Sequence, residues 1–360
     1  MLSHLKKLDW GLIGITMLLL SIGFLAIYSS CLGGDSFFDL KKQMIFGGIG
    51  FSLMILISFF DWKTLRESSF ILFLYFIGIL LLIGLFFFAP TIRGIKGWYR
   101  IAGISFNPVE PVKLILIILL AKYFSKRHIE MYQIKHVFIS AVYIAIPAAL
   151  IFLQPDMGSV LILLALWVGV LIISGIKIKH FLILVLVGIL IATLGWMFLL
   201  KPYQKERIVN FVVPQNQPLE GGWNQRQAKI AIGSGGLLGK GIGKGSQTQY
   251  GFLPEVKTDF VFSALAEETG FVGISVLFLL FGGLLWKIIA IALKAKSNFP
   301  RLFAVGFGIL IFSQIFIHIC VNIGFCPVIG LPLPFVSYGG SNLISIFMGL
   351  GVLQSIKSRQ

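Results

Sequence analysis

Long apolar runs recur from one end of this chain to the other, and they constrain its fold more than any other feature. Each run holds about 18 to 25 residues, enough for one helix to cross a hydrocarbon core of about 30 Å. Backbone amides find no water partners in lipid, so such a segment is helical. We count ten spans, at residues 10–30, 43–60, 69–89, 108–124, 137–154, 157–175, 180–200, 260–286, 302–323 and 339–356.

The composition agrees with this interpretation of the apolar runs. Of the 360 residues, 57% are hydrophobic and 12% are charged, and the mean hydropathy is +0.95. A soluble globular domain is about half apolar and carries about twice this share of charged residues. The sequence therefore predicts an all-α polytopic membrane protein that forms a single transmembrane domain over residues 1–360.

The basic residues give the predicted spans an orientation. If ten spans alternate, sixteen Lys and Arg residues fall at the loops and termini of one side, against five in the short loops of the other side. Cytoplasmic loops carry the excess of Lys and Arg, so both termini are expected in the cytoplasm. Over half of the basic residues behind the net charge of +16 are thus topology signals, and the charge does not indicate a nucleic-acid partner.

A polar segment, residues 201–259, separates the seventh and eighth spans and is expected to form a large extracytoplasmic loop. It contains eight Lys and Arg residues and four Asp and Glu residues. Basic residues outside oppose the usual topology bias, and either a diphosphate ligand or anionic membrane lipids would explain them. The glycine-rich stretch 233–245 does not match the nucleotide P-loop, although glycine lets backbone amides surround an anion. The basic candidates are Lys240, Lys244, Lys257 and Arg207.

Three carboxylates lie at or inside the eighth span. Asp259 immediately precedes the apolar stretch 260–262, where hydration decreases. A partly dehydrated carboxylate is suited to accept a proton near neutral pH, so Asp259 is the candidate general base. Glu267 and Glu268 lie deeper in the same predicted helix. Exposure of both to lipid would be expensive, so one of them is expected to face a polar interior.

Other ionisable residues each have a structural and a functional explanation. Glu110 and Lys113 are three residues apart on one face of the fourth span, where they either form a structural ion pair or contact the substrate. Asp156 occupies a tight turn between the fifth and sixth spans. It either caps the following helix or binds a metal ion or a sugar hydroxyl. The residues alone do not decide between these roles.

Six motifs spread over nearly the whole chain go beyond what composition explains. They are Gln154-Pro155-Asp156-Met157-Gly158, Gln227 through Gly245, Leu253-Pro254-Glu255, Thr258-Asp259-Phe260, Glu267-Glu268-Thr269-Gly270, and Leu331 through Ser341, which includes Ser337 and Gly340. In this order on ten spans they resemble the SEDS family (shape, elongation, division and sporulation), particularly RodA, with FtsW and SpoVE as relatives. The glycine-rich stretch alone is weak evidence, but the ordered set is specific.

This resemblance implies a peptidoglycan glycosyltransferase of the bacterial plasma membrane that serves cell-wall elongation and cell shape. Such an enzyme polymerises lipid II, a disaccharide-pentapeptide on undecaprenyl diphosphate, into a nascent glycan strand. Its usual partner is a class B penicillin-binding protein, the transpeptidase that crosslinks the strand. The family's essential aspartate falls on Asp259, and its membrane Glu/Lys pair falls on Glu110 and Lys113.

The resemblance also bears on ligands and cofactors. Gln227, Asp156 and the loop cations are the expected substrate contacts. No organic cofactor is expected, and Mg²⁺ or Mn²⁺ is the candidate metal because carboxylates and a diphosphate are hard ligands. The chain departs from the family at Lys257, where a histidine is usual, which argues against a His–Asp proton relay. It is also about four residues shorter than expected after Asn322-Ile323-Gly324.

Two other functions fit ten spans with polar residues at their ends. One is a lipid II flippase, which needs a continuous polar path and alternating access. The other is a non-catalytic scaffold for a penicillin-binding protein, which has no need of Asp259, Glu110 and Lys113. Lengthening of glycan strands without a gradient distinguishes the polymerase from both. The sequence does not decide between elongation and division.

Overall fold

The fold is described from a computed structural model over residues 2–33, 37–91, 96–101, 103–127, 133–199, 205 and 221–360. Strands β1 (Tyr99–Ile101) and β2 (Ile104–Phe106) pair antiparallel between α5 and α6. In chain order the helices are α1 (Leu2–Leu5), α2 (Trp10–Leu32), α3 (Phe38–Phe59), α4 (Trp62–Glu67), α5 (Phe70–Phe88), α6 (Val109–Arg127), α7 (Ile134–Leu153), α8 (Met157–Ile173), α9 (Ile178–Leu194, continued by a π-helical turn Gly195–Leu199), α10 (Gly221–Ser234), α11 (Ser246–Gln249), α12 (Val261–Lys294), α13 (Asn298–Ile323) and α14 (Gly340–Ser358).

Each of the ten predicted spans overlaps one of these helices, and the helical, multi-span architecture is confirmed. Within the described residues, seven helices are long and apolar enough to cross a bilayer: α2, α3, α5, α7, α9 with its π-helical turn, α12 and α13. The apolar helix α8 is shorter, with 17 residues. Helices α6 and α14 carry more polar residues, which other helices cover: Lys113 and Gln354 are both buried.

Local sequence signals set several helix ends. The side chains of Asp9, Asp61 and Asp156 each accept a backbone N–H at the start of α2, α4 and α8, respectively. A carboxylate at this position satisfies a donor that has no partner inside the helix. Helix α13 ends at Gly324, whose φ of 81° is a left-handed conformation that glycine adopts readily. The chain turns directly there, which accommodates the short connection that the sequence predicts.

The centre of the bundle is formed by α6, α13 and α14. Helix α14 packs along α3, and α13 packs on α6, α8 and α12. Glycines allow the closest contacts: Gly349 of α14 lies against the ring of Phe307, and Gly50 of α3 lies against the ring of Phe347. In a membrane the hydrophobic effect does not drive helices together, so close packing at small residues stabilises their association. By contrast, α9 is apolar on all sides after Lys179 and His180, and none of its residues with a described burial is buried, as expected of a lipid-facing helix.

Helix α12 is interrupted at Gly270, whose φ and ψ are 65° and −164°. Residues 235–241, here called the insertion segment, fill the break. Glu267 and Glu268 would ordinarily accept from Phe271 N and Val272 N, but their carbonyls accept from Lys240 N and Gly241 N, both at 3.0 Å. Phe271 N and Val272 N donate instead to the insertion segment, to Gly236 O (2.9 Å) and Leu237 O (3.1 Å). The predicted eighth span is therefore two helical pieces, joined by a segment that satisfies the freed backbone groups.

Residues 221–259 fold onto the bundle. Helix α10 contributes Ala228 and Ala231 to a second apolar cluster, separate from the main core. That cluster also contains Leu253, Phe260 and Val321, so it joins the segment before α12 to the end of α13. The described part of the polar segment thus has a packed core of its own against the helices.

Candidate active site

Several helices begin at the end of the bundle where residues 221–259 lie, here called the loop end. They include α3, α6, α8, α12 and α14. Residues 324–339, which connect α13 to α14 without helix or strand, lie among them. The contacts that join these elements are Gly158 with Ile329, Thr258 with Ser337, and Glu110 with Asn342. Most of the predicted site residues meet here.

Asp259 is half-buried directly before α12. Its backbone is held on both sides: its N–H donates to the Glu255 carbonyl at 3.1 Å, and its carbonyl accepts from Asn322 Nδ2 at 2.9 Å. A Cβ atom on Gly330 would lie 3.5 Å from Asp259 Oδ2 and would meet no other atom within 4 Å. The Asp259 carboxylate therefore lies beside the α13–α14 connection, at Gly330.

Ser337 joins that connection to the turn that carries Asp259. Its Oγ donates to the Thr258 carbonyl at 2.6 Å and accepts from Leu333 N at 2.8 Å. The motif containing Ser337 thus fixes the residue immediately before the predicted base. Sequence spacing alone gives no reason for this role, because the two segments are 79 residues apart.

Lys257 forms an ion pair on the other side of the same turn. Its Nζ lies 2.8 Å from Asp39 Oδ2 at the start of α3, and its carbonyl accepts from Tyr338 N at 2.7 Å. The lysine that stands where the family has histidine therefore ties α3 to the Asp259 turn. The contact of Lys257 with substrate stays a prediction. A substrate anion would compete with the Asp39 carboxylate for the Lys257 ammonium group.

Glu110 and Lys113 form the expected ion pair, with Lys113 Nζ 2.7 Å from Glu110 Oε1. Lys113 is fully buried and Glu110 is 8% exposed. The second carboxylate oxygen of Glu110 accepts from Asn342 Nδ2 at 2.8 Å. Ser341 Oγ accepts from Asn107 N at 2.9 Å, so α14 is bonded to the start of α6 twice. The two side chains thus form an ion pair, and a contact with substrate stays a prediction.

Asp156 caps α8, as one of its two explanations predicted. Its oxygens accept from Ser159 N at 3.0 Å and Ser159 Oγ at 2.7 Å. Burial raises the pKa of Asp156 above its ordinary value, while the bonds from Ser159 and the nearby Lys113 charge act in the opposite direction. The electrostatic influence of Lys113 and Glu110 means that this carboxyl belongs to the same polar region.

Glu267 and Glu268 are both buried and both hydrogen-bonded, so both face a polar interior. Glu267 pairs with Lys240 Nζ at 2.8 Å. Glu268 accepts from Ser29 Oγ of α2 and from Gly243 N at 3.2 Å. The other donors to Glu267 are Ser246 Oγ, Gln247 N, Thr248 N and Thr248 Oγ1, at 3.0 to 3.2 Å. The backbone amides of Lys240, Gly241 and Gly243 therefore donate to Glu267 and Glu268 of α12. From sequence, amides of this glycine-rich stretch were candidates to surround a bound anion.

The remaining predicted residues are spread over the loop end. Lys244 is exposed, and Gln227 is buried on α10. Lys240 is engaged by Glu267. Gly340 begins α14 and lies against the ring of Phe46. Arg207 lies outside the described residues.

Three residues at this end were missed by the sequence analysis: Asp39, Asn342 and Ser29. Each is a partner of a predicted residue from a distant part of the chain. Asn342 gave a usable signal, since a polar residue inside an apolar span usually bonds to another helix. Asp39 and Ser29 gave none beyond their polarity.

The described residues contain no group of three or more His, Cys, Asp or Glu side chains close enough to hold a metal ion. The nearby carboxylates also have protein partners, Glu110 with Lys113 and Asp156 with Ser159. Hard cations take six or more oxygen ligands. The donor set does not fit a metal site built from this part of the chain alone.

The sequence matches known proteins over nearly its whole length. Residues 7–360 match the family model of cell cycle proteins that comprises FtsW, RodA and SpoVE. Stage V sporulation protein E of Bacillus subtilis (strain 168) is 36% identical over 355 residues, 97% of this chain and 96% of that protein. Peptidoglycan glycosyltransferase MrdB of Escherichia coli (strain K12) is 33% identical over 361 residues, 99% of this chain and 96% of MrdB.

Solved structures agree with the sequence comparison. A chain of a peptidoglycan synthase complex, described as coordinating polymerization and crosslinking, is 32% identical with a TM-score of 0.83, over 97% of both chains. The rod shape determining protein RodA of Thermus thermophilus is 29% identical with a TM-score of 0.71, over 97% of this chain and 96% of RodA. By sequence and by fold, this chain belongs to the FtsW, RodA and SpoVE family, the SEDS proteins.

Proposed function

We propose that this protein polymerises lipid II into glycan strands at the outer face of the bacterial plasma membrane, with Asp259 as the general base. The observation that carries the proposal is the position of Asp259. Its backbone is held by Glu255 and Asn322, and the residue is partly exposed, with its carboxylate beside Gly330. A catalytic base needs this combination of a fixed main chain and an accessible side chain.

The reaction class follows from the family. A relative that this chain matches over 99% of its length is named a peptidoglycan glycosyltransferase, and a close structural neighbour is part of a peptidoglycan synthase complex. The chain is a peptidoglycan glycosyltransferase. The roles of individual residues are our proposal.

In the proposed reaction, Asp259 takes the proton from the 4-hydroxyl group of the acceptor sugar. The acceptor oxygen bonds to the anomeric carbon of the donor while the bond from that carbon to the diphosphate oxygen breaks. The electron pair of the broken bond leaves on the lipid diphosphate. Attack from the face opposite the leaving group inverts the anomeric configuration, and Asp259 then releases its proton to water.

The departing diphosphate carries negative charge that the loop end is suited to receive. Helix N-termini carry about half a positive charge each, and α6, α8, α12 and α14 all begin here. Lys244 is exposed and is the most accessible of the described cationic candidates. Lys240 and Lys257 would have to exchange Glu267 and Asp39 for the substrate. Arg207 and Gln227 complete the proposed substrate contacts, with Asp156 available to a sugar hydroxyl.

Mg²⁺ or Mn²⁺ remains part of the proposal as an ion that enters with the diphosphate. The substrate would then supply the oxygen ligands that the described residues do not, and the ion would neutralise leaving-group charge. None of the steps above is assigned to it.

The proposed topology has ten spans, both termini in the cytoplasm and residues 201–259 outside. The positive-inside excess supports this orientation. The proposed partner is a class B penicillin-binding protein, supported by the similarity to a complex described as coordinating polymerization and crosslinking. Lipid II and the growing strand are the proposed substrates.

The general base is tested with Asp259→Ala and Asp259→Asn in a gel assay of glycan products from purified lipid II. Loss of a general base slows a reaction by roughly 10²- to 10⁴-fold. We expect both variants to show this loss of rate. Their unfolding temperature should stay within a few degrees of wild type, since the Asp259 side chain is not part of either apolar core. The assay is run with and without the cognate transpeptidase, because a partner can be required for activity.

The matched control is Asp61→Asn, which removes a partly exposed carboxylate at the opposite end of the bundle and keeps a side-chain oxygen that can cap α4. It should polymerise lipid II at the wild-type rate. The base assignment is wrong if either Asp259 variant is folded and retains a near-wild-type rate under both conditions.

A further inference from the structure

The opposite end of the bundle carries a cavity that the proposed reaction does not use. Its volume is about 420 Å³, and it lies between α4, the end of α6 and the connection from α12 to α13. Each of these elements contributes one cationic side chain to the lining: Arg66, Lys126 and Lys296. Ser125 and Ser297 add two hydroxyl groups. The cavity is thus lined for an anion with several oxygen acceptors.

The charge of this lining is not neutralised by its own acids. Glu67 is the carboxylate in the lining, and it is bonded to Arg66 at 2.6 Å. Lys126 and Lys296 are exposed and form no ion pair within the described part of the chain. Three cations against one anion leave a net charge of +2.

A second cavity of about 310 Å³ adjoins the first, and the two share Asn298 at the start of α13. Its lining combines the polar side chains of Ser174, Asn298 and Arg301 with one exposed apolar side chain, Ile173, while the apolar residues Phe124 and Leu302 lie buried behind them. Ile173 is 43% exposed at the surface of the bundle, on the side where a lipid chain would lie. A ligand with an anionic head and an apolar chain matches the two cavities together.

Topology explains why basic residues are frequent at this end, but it does not explain why three elements direct theirs into one cavity. Lys6, Lys7 and Lys179 are exposed at the same end and line neither cavity. Basic pockets between membrane helices on the cytoplasmic side are typical binding sites of anionic lipid headgroups.

We propose that the two cavities bind one anionic phospholipid. Its phosphate lies among Arg66, Lys126 and Lys296, and the first part of an acyl chain lies against the exposed side chain of Ile173. The lipid bridges α4, α6 and α13, the last of which packs in the centre of the bundle. A ligand that binds only the folded state stabilises it by mass action, so bound lipid raises the unfolding temperature. This inference does not depend on the reaction proposed for Asp259.

The test compares phosphatidylglycerol with phosphatidylcholine on the purified full-length protein in detergent. Bound lipid is counted by native mass spectrometry, and unfolding is followed as each lipid is titrated. A cation near a membrane surface changes lipid affinity about fivefold. We expect tighter binding of phosphatidylglycerol by at least about tenfold, and loss of that preference in the R66Q/K126Q/K296Q variant.

The matched control is K6Q/K7Q/K179Q, which removes the same charge from the same end but outside the cavities. This control should keep the preference for phosphatidylglycerol over phosphatidylcholine. If both triple variants lose the preference equally, the effect comes from the overall charge of this end, and the proposed binding site is wrong. Displacement of phosphatidylglycerol by millimolar inorganic phosphate would also overturn it, since a free anion would then be the ligand. If the triple variant does not fold, Lys296→Gln alone must weaken phosphatidylglycerol binding about fivefold, and an unchanged affinity rejects the proposal.

Discussion

Buried charges show, residue by residue, how this sequence keeps ionisable groups inside an apolar bundle. Lys113 is fully buried, but Glu110 neutralises it and Asn342 satisfies the second oxygen of that carboxylate. A buried pair with its hydrogen bonds complete is tolerable, whereas a single buried charge is not. The spacing of three residues predicted the pair. The polarity of Asn342 indicates a bond to another helix, but its pairing with Glu110, 232 residues away, was not predictable.

Lys113→Met tests this account of the pair. The variant keeps a side chain of similar length but leaves the Glu110 carboxylate without its counter-charge. Removal of one partner of a buried ion pair costs about 3–5 kcal/mol. We expect a loss of that size in the free energy of unfolding, measured in detergent with denaturant.

The double variant Glu110→Gln with Lys113→Met is the control. It removes both charges and leaves a neutral amide beside Asn342, so it should recover most of the lost stability. If the double variant is as unstable as the single one, packing of the lysine stem and not charge is the cause.

Gly330→Ala tests the space in front of Asp259. The φ of Gly330 is +66°, and a Cβ atom there would lie 3.5 Å from Asp259 Oδ2. A left-handed conformation costs a non-glycine residue about 1–2 kcal/mol. We expect this modest destabilisation together with a clear fall in lipid II polymerisation, because the methyl group occupies the space that the acceptor hydroxyl needs.

Gly103→Ala separates strain from obstruction. Gly103 has a φ of +79°, and a Cβ atom there would meet nothing within 4 Å, so its alanine variant carries the same backbone cost without any contact with Asp259. Its polymerisation rate should stay near the wild-type value. Equal rates for the two variants would mean that the acceptor does not approach over Gly330.

At the scale of elements, α12 and the insertion segment form one unit. The apolar run predicted a single helix over 260–286, and its periodicity contains no sign of the break at Gly270. The break depends on residues 235–241, which replace four helix hydrogen-bonding partners from outside the span. Pattern analysis of one segment cannot detect a partner that another segment supplies.

Gly239→Ala should disrupt this unit. A Cβ atom on Gly239 would collide with the main chain at Glu268, and its φ of +79° adds strain. The insertion segment would have to move out of the break and leave amides and carbonyls unsatisfied, each at about 1–3 kcal/mol. We expect a fall in the unfolding temperature and a loss of polymerisation, since Asp259 lies directly before the same helix.

Gly236→Ala is the matched variant within the insertion segment. Its φ is +55°, but a Cβ atom there meets nothing within 4 Å. Gly236→Ala should lower the free energy of unfolding only by the cost of the left-handed backbone conformation, about 1–2 kcal/mol. Similar stability of the two alanine variants would contradict the role assigned to the close contact at Gly239.

For the whole molecule, apolar runs sufficed to locate each membrane-length helix in the described part of the chain, because lipid imposes both the length and the composition of a span. The ordered motifs sufficed to identify the family. Neither could give the partners of the loop cations: Lys240 and Lys257 were predicted to hold substrate, and their ammonium groups lie on Glu267 and Asp39. Charge counts describe a segment, whereas pairing depends on how distant segments meet.

The proposed orientation is tested by labelling single cysteines with a membrane-impermeant maleimide in intact cells. Tyr250→Cys places a thiol at the loop end, where Tyr250 is 76% exposed, and Lys179→Cys places one at the opposite end. The native thiols give little background. Cys31 and Cys320 are buried, and burial together with the neighbouring Cys320 raises the pKa of Cys326 to about 11, so little reactive thiolate forms.

We expect Tyr250→Cys to react in intact cells and Lys179→Cys to react only after the membrane is permeabilised. This pattern places Asp259 on the side where no nucleotide is available, which fits a reaction driven by release of a lipid diphosphate. The reverse pattern would put the base in the cytoplasm and would remove the basis for polymerisation at the outer face. Denatured samples of both variants must label fully, so that a missing signal reports sidedness and not a buried thiol.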